Sequence, residues 1–313
     1  MILPVWLWIP ATLVAAAAQT ARNALQRGLV RELGGVGATS VRFLYGLPAS
    51  AVLFALAASF APSELERFPP ALLFWLPIGA VAQILATFFL LEVMARRNFA
   101  VAVAWSKTEI LLVALAGWLL LGDRLGLGGW LAVLSATAGV ILLSAEGVRL
   151  RELFGARARA VAWRGFAIGA GFALAAVAYR ASVLAAGGPG SLLAATWTLL
   201  LAQGLQSLLL AVWLLFRDPG VLAAVARARR GSLFAGTAGA LASAGWFVAF
   251  SLAPAAAVRT LGLVEMLFAL VVGRRLFRER PSARELLGQL LVAAAVVLAA
   301  GAPPLEISRS PDR

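Results

Sequence analysis

The sequence predicts an all-α integral membrane protein of ten transmembrane helices, built as two inverted five-helix repeats. Two observations carry this. The first is composition. The chain is 62% hydrophobic and only 13% charged, with a mean hydropathy of +0.92. Soluble domains are roughly 45–50% apolar and about 25% charged, so this chain has too little polar surface to cover itself in water. The second is self-similarity. Sliding the chain by 156 residues lays "KTEILLVALAGWLLLGDRL" (107–125) on "LVEMLFALVVGRRLFRERP" (263–281) without a gap. Glu109 then meets Glu265, Gly117 meets Gly273, Asp123 meets Glu279 and Arg124 meets Arg280. The match runs on through Leu131 with Leu287, Val140 with Val296 and Leu142 with Leu298. Chance apolar similarity explains the leucines, but not an acid followed by an acid-Arg pair 14 positions later, twice over. With a two-residue shift, Arg22 of the first span also falls on Arg180 of the sixth. A five-helix unit is odd in number, so its second copy enters the membrane upside down.

The spans follow in order, each long enough to cross about 30 Å of hydrocarbon. Span 4–25 imitates a signal peptide at "VAAAAQ", but no positive charge precedes it and the repeat requires it as a helix. Spans 37–60 and 71–95 complete the first three, the latter carrying Trp75 near one end and Glu92 near the other. Span 99–121 is mostly apolar, yet holds Trp105, Lys107 and Glu109 near its middle. Span 127–145 closes the first repeat, residues 1–145, and a basic linker covers 146–164. The second repeat, 165–302, comprises spans 165–186, 190–216, 232–252, 256–277 and 284–302, and a polar tail of 303–313 follows. The small residues of "GTAGALASAG" (236–245) suit close helix approach or room for a solute.

Arginine placement bears on orientation. The loops after the odd-numbered helices hold 18 arginines; the other face, with both termini, holds four. The positive-inside rule then places the odd loops in the cytoplasm and both termini outside.

The central charges set the functional expectation, since an ionisable residue at membrane depth costs several kcal/mol unless it is used. Glu109 and Glu265 occupy repeat-equivalent midplane positions. Arg22, Arg42, Lys107, Arg180 and Arg259 are the basic residues that remain once those arginines are set aside, so cations outnumber the central carboxylates. Two arrangements remain open: the charges neutralise one another across helices, or they line an aqueous cavity suited to an anionic or zwitterionic solute. Trp105 lies one turn before Glu109 on the same face. Trp197 and Trp246 also sit deep in their spans, as packing or as cavity wall.

These residues resemble the drug/metabolite transporter superfamily, in its ten-helix EamA-type branch. The marker is a fourth-helix carboxylate, often followed by proline, with a G-E-R-L loop about 14 residues on. Here it reads Glu109…Gly122-Asp123-Arg124-Leu125, and in the second half Glu265…Arg278-Glu279-Arg280-Pro281. The resemblance spans about 1–302. It departs at Ile110 and Met266, which stand for the proline, and at Arg278, which stands for glycine. It implies a transporter, with both termini inside, against the arginine count.

The expected function is therefore secondary active transport of a small anionic or zwitterionic metabolite by alternating access, coupled to protons or to exchange. A flippase for a lipid or lipid-linked metabolite is the alternative, and an intramembrane enzyme the rival from another class. With no Cys and no His, sites that need those ligands, such as haem and thiolate or imidazole zinc, are excluded. No G-x-x-x-x-G-K-[ST] motif occurs, so ATP is not the direct energy source. The expected partners are a small-molecule substrate, protons and membrane lipids, with neither cofactor nor metal. The +13 net charge is read as membrane topology rather than nucleic-acid binding. A monomer suffices, and the expected location is a bacterial inner membrane.

Overall fold

Gly34 turns the first helical stretch back on itself. Its φ of 69° and ψ of 177° lie in a region that only glycine enters without strain. The computed structural model describes residues 2–60, 68–94, 108–144, 156–266 and 283–301. Within it, α1 (Trp8–Leu44) is two helical arms joined at Gly34. Gln26 Nε2 in the first arm donates to Ala38 O in the second at 2.9 Å. In an unbroken helix these residues, 12 apart, would be separated by about 18 Å. The arms are therefore an antiparallel hairpin. The sequence reading left 26–36 as a loop, whereas helical geometry continues through it and one glycine makes the reversal.

The remaining helices are α2 (Gly46–Phe60), α3 (Pro70–Met94), α4 (Glu109–Leu121), α5 (Leu127–Ser144), α6 (Ala156–Gly187), α7 (Leu192–Arg217), α8 (Pro219–Arg227), α9 (Arg229–Leu252), α10 (Ala255–Leu261) and α11 (Ala283–Gly301). There is no strand among the described residues, only an isolated bridge tying Ile2 to Ser191. Two boundaries differ from expectation. α6 starts at Ala156 rather than 165, so the end of the 146–164 linker is helical. α8 was not anticipated. Asp218 caps it by accepting from Val221 N at 3.1 Å, and Pro219 fits its first turn, where no N–H partner is needed. Parts of the fourth and ninth expected spans lie outside the described residues.

Among the described residues, five helical segments are long and apolar enough to cross a bilayer: Glu32–Phe60, Pro70–Glu92, Trp163–Gly187, Leu192–Arg217 and Arg229–Leu252. Shorter apolar helices cover Glu109–Leu121, Leu127–Leu143 and Leu286–Gly301. The first arm of α1 is not among them, and it carries Gln19, Arg22, Asn23 and Gln26. The exterior is apolar: Phe74, Leu119, Leu127, Phe216, Phe234 and Val297 all point outward. In water such a surface would aggregate; in lipid it is the ordinary exterior. The interior combines many alanines with larger apolar side chains such as Phe43, Leu72, Ile168 and Phe250, and with buried polar residues such as Gln26, Arg180 and Gln206.

The helices pack in antiparallel pairs. The first arm of α1 lies along α9, with Ala11 and Ala15 against Gly245 and Arg22 against Gly239. α3 lies along α6, with Gly79 against Tyr179 and Ala86 against Gly171. α5 lies along α11, where Ser135 Oγ donates to Leu291 O at 2.8 Å. Gly139 and Gly288 meet there: a Cβ on Gly139 would come within 2.8 Å of Gly288 O. α2 packs on α7, and α4 on α10.

Candidate functional site

The centre of the site is where α10 stops being an α-helix. Leu263 N bonds Thr260 O, Glu265 N bonds Gly262 O and Met266 N bonds Leu263 O, all i→i+3 contacts. This tighter winding interrupts the helix just before Glu265, with no proline in the turn. Glu109 opens the described part of α4, and Leu112 N bonds Thr108 O there at 3.0 Å in ordinary α geometry.

Glu109 and Glu265 line one cavity of about 40 Å³ with Gln19, Ile110, Trp246, Arg259, Gly262 and Leu263. That volume holds roughly three waters at about 10–15 Å³ each. Arg259 Nε stands 3.3 Å from Glu109 Oε1, an ion pair whose alignment makes no hydrogen bond. The same guanidinium lies 4.8 Å above the Trp246 ring and 5.8 Å from that of Phe250. A partly desolvated cation over an indole face gains about 0.5–2 kcal/mol. Trp246 Nε1 donates to Gln19 Oε1 at 3.1 Å, which turns the Gln19 amide nitrogen to Glu265 Oε2 at 3.4 Å. One chain of contacts thus runs from Glu265 through Gln19 and Trp246 to Arg259 and Glu109.

Arg180 is placed elsewhere. Its Nε and Nη2 donate to the Asp123 carboxylate at 2.8–3.1 Å, and its Nη1 donates to Phe250 O and Ala253 O. It is 1% exposed. Gly122, at φ 66°, ends α4 in the left-handed region and folds Asp123 back over Gly117. Arg180 therefore ties the end of α4 to α6 and to the α9–α10 turn rather than joining the cavity. Trp197 packs on Phe54 and Phe68, at ring separations of 5.0 and 5.3 Å, away from the residues that line the cavity. Arg22 and Arg42 are buried side by side against Gly239. Lys107 and Trp105 lie outside the described residues.

Several participants escaped the sequence reading. Gln19 is one. Another is the cluster of Tyr179, Gln83 and Gln206, where Tyr179 Oη donates to Gln83 Oε1 at 3.0 Å and Gln206 Nε2 reaches both at 2.8–2.9 Å. Their signal was available: each is a polar side chain inside an apolar span, where it must find a partner. Asp123 was noted for its place in the repeat but not as the acceptor of Arg180.

No protein-family model and no curated protein matches the chain. Its fold is nevertheless shared. A solved crystal structure, described simply as "Crystal structure of protein", aligns over 96% of this chain and 99% of its own length, with a TM-score of 0.64 and 20% identity. At that identity the likeness establishes a common all-α architecture and nothing about chemistry.

Proposed function

We propose that the protein is a secondary active transporter of the drug/metabolite type, moving a small anionic or zwitterionic solute by alternating access of two inverted halves. One observation carries the proposal. Two carboxylates, Glu109 and Glu265, related by the 156-residue offset, face a single polar cavity between helices whose exterior is lipid-like. A purely structural pair would be an expensive way to join two helices in a bilayer. A binding centre between the halves is where such transporters hold their solute.

The packing supports the inverted arrangement. Exchange the equivalent helices, the first arm of α1 for α6, α2 for α7, α3 for α9, α4 for α10 and α5 for α11. The pairing of α1 with α9 becomes that of α6 with α3, and both occur. The contact of α2 with α9 becomes that of α7 with α3, which also occurs. The pair α5 and α11 maps onto itself and runs antiparallel, as copies of opposite orientation must. Ser135 and Leu291, which bond each other, differ by the repeat offset itself. These exchanges are the ones expected of two halves related by a pseudo-two-fold axis, and α8 stands outside them.

The small cavity and the Arg259–Glu109 pair suit a state closed around the centre. Solute entry would separate that pair. The test is uptake into proteoliposomes of a panel of labelled amino acids, organic acids and phosphate esters under an imposed proton gradient. Concentrative uptake of an anionic solute, lost in Glu109→Gln and Glu265→Gln, is expected. Parental uptake by both variants would reduce the carboxylates to counter-ions and remove the basis of the proposal.

A further inference from the structure

The hairpin at Gly34 has a second consequence. Moving outward along its arms from the bond between Gln26 and Ala38 brings Arg22 opposite Arg42. Both flank one glycine of α9: a Cβ on Gly239 would lie 3.2 Å from Arg22 Cδ and 3.4 Å from Arg42 Cγ. They are 6% and 4% exposed. Arg22 spends Nη2 on Asn23 Oδ1 at 2.8 Å, and Arg42 spends Nη1 on Thr87 Oγ1 at 3.1 Å. Arg22 Nε and Nη1 and Arg42 Nε have no hydrogen-bond partner among the described residues. Neither arginine forms an ion pair with a described carboxylate. The contrast with the other two span arginines is plain, since Asp123 holds Arg180 and Glu109 faces Arg259.

Two adjacent guanidiniums, desolvated and repelling each other, are among the costliest arrangements a membrane interior can hold. We propose that Arg22 and Arg42 form a subsite for a phosphate-type dianion, the charged end of the transported solute; this rests on the transport reading above. A lone carboxylate is the weaker match, because its two oxygens are fewer than the three donor nitrogens left without partners. A phosphate monoester carries about −1.5 to −2 at neutral pH and offers three strong acceptor oxygens. Three buried donor nitrogens stand without partners here. Guanidinium also suits phosphoryl oxygens better than ammonium does. Arg22 lies three residues, about one helical turn, beyond the cavity-lining Gln19 on the same arm of α1, so the subsite adjoins the cavity. The phosphoryl end would sit between the hairpin arms while the rest of the solute reaches toward Gln19 and Trp246.

The experiment uses the purified full chain in detergent at fixed ionic strength. Binding of inorganic phosphate, phenyl phosphate and acetate is measured by calorimetry and by the shift in unfolding midpoint. Both phosphates should bind and raise the midpoint, with acetate at least about tenfold weaker. Arg22→Gln and Arg42→Gln should each abolish the phosphate response. Arg217→Gln, which removes an equal charge from an exposed site on α7, should keep it. Arg22→Lys and Arg42→Lys retain charge in case the neutral variants fold poorly, and each should weaken phosphate at least about tenfold. No phosphate binding to the parent, equal response to acetate, or parental affinity in the lysine variants would overturn the subsite. If phosphate binds but proteoliposomes transport nothing, the subsite stands and the transport reading falls. If a solute is transported that phosphate neither competes with nor resembles, the subsite falls and transport stands.

Discussion

Asp123 accepts hydrogen bonds from both Nε and Nη2 of Arg180, at 2.8–3.1 Å, and the remaining Arg180 nitrogen is taken by two backbone carbonyls. A buried cation so fully engaged is a fastener. It closes the end of α4 against α6 and the α9–α10 turn.

Asp123→Asn should destabilise the protein by about 3–5 kcal/mol, because it leaves Arg180 buried without its counter-charge. Asp123→Leu combined with Arg180→Met should recover most of that loss, since no orphaned charge remains. Detergent-solubilised unfolding of the three variants checks both statements. Parental stability in Asp123→Asn would show that the pair does not hold the fold.

Gly34→Ala should cost about 1–3 kcal/mol. Nothing lies within 4 Å of the added methyl, so the whole effect is backbone conformation. An unfolding midpoint unchanged by the substitution would mean that the chain does not reverse at this residue.

Gly139→Val should push α5 off α11, because even a Cβ there would lie 2.8–2.9 Å from Gly288 O, Leu291 Cβ and Val292 N. Overpacking of this kind costs about 1–3 kcal/mol or more. Gly128→Val, on the same helix with open space around it, is the control and should be near neutral.

Orientation has a direct readout. The 18-to-four arginine bias predicts that a reporter active only outside the cytoplasm is active when fused after Arg313 and silent when inserted near residue 150. The reverse pattern would favour the orientation that the family resemblance implies.

The sequence carried the all-helical class, the apolar segments and the central position of both carboxylates, because each rests on composition or spacing along one chain. It singled out Arg22, Arg42, Arg180 and Arg259 as span cations but could not apportion them. Whether Arg180 serves the cavity or Asp123 depends on how far α4 unwinds at Gly122, a three-dimensional matter. The hairpin was missed because residues 26–33 read as polar and loop-like, whereas Gln26 satisfies its amide across the turn. α8 was missed because its residues looked like part of a loop until Asp218 and Pro219 set a helix start. Gln19 was passed over because attention to charge hid a neutral amide that links Glu265 to Trp246.

The central claim is that one site between the halves opens alternately to the two sides of the membrane. The chain contains no cysteine, so a single Leu263→Cys reports on that cavity without background. The measurement is its rate of modification by a membrane-impermeant thiol reagent, applied to each side of sealed proteoliposomes, with and without transported solute. The account predicts that solute shifts reactivity from one side to the other, with any gain on one face matched by a loss on the opposite face. Simultaneous reactivity from both sides that solute does not change, as in an open pore, would contradict it.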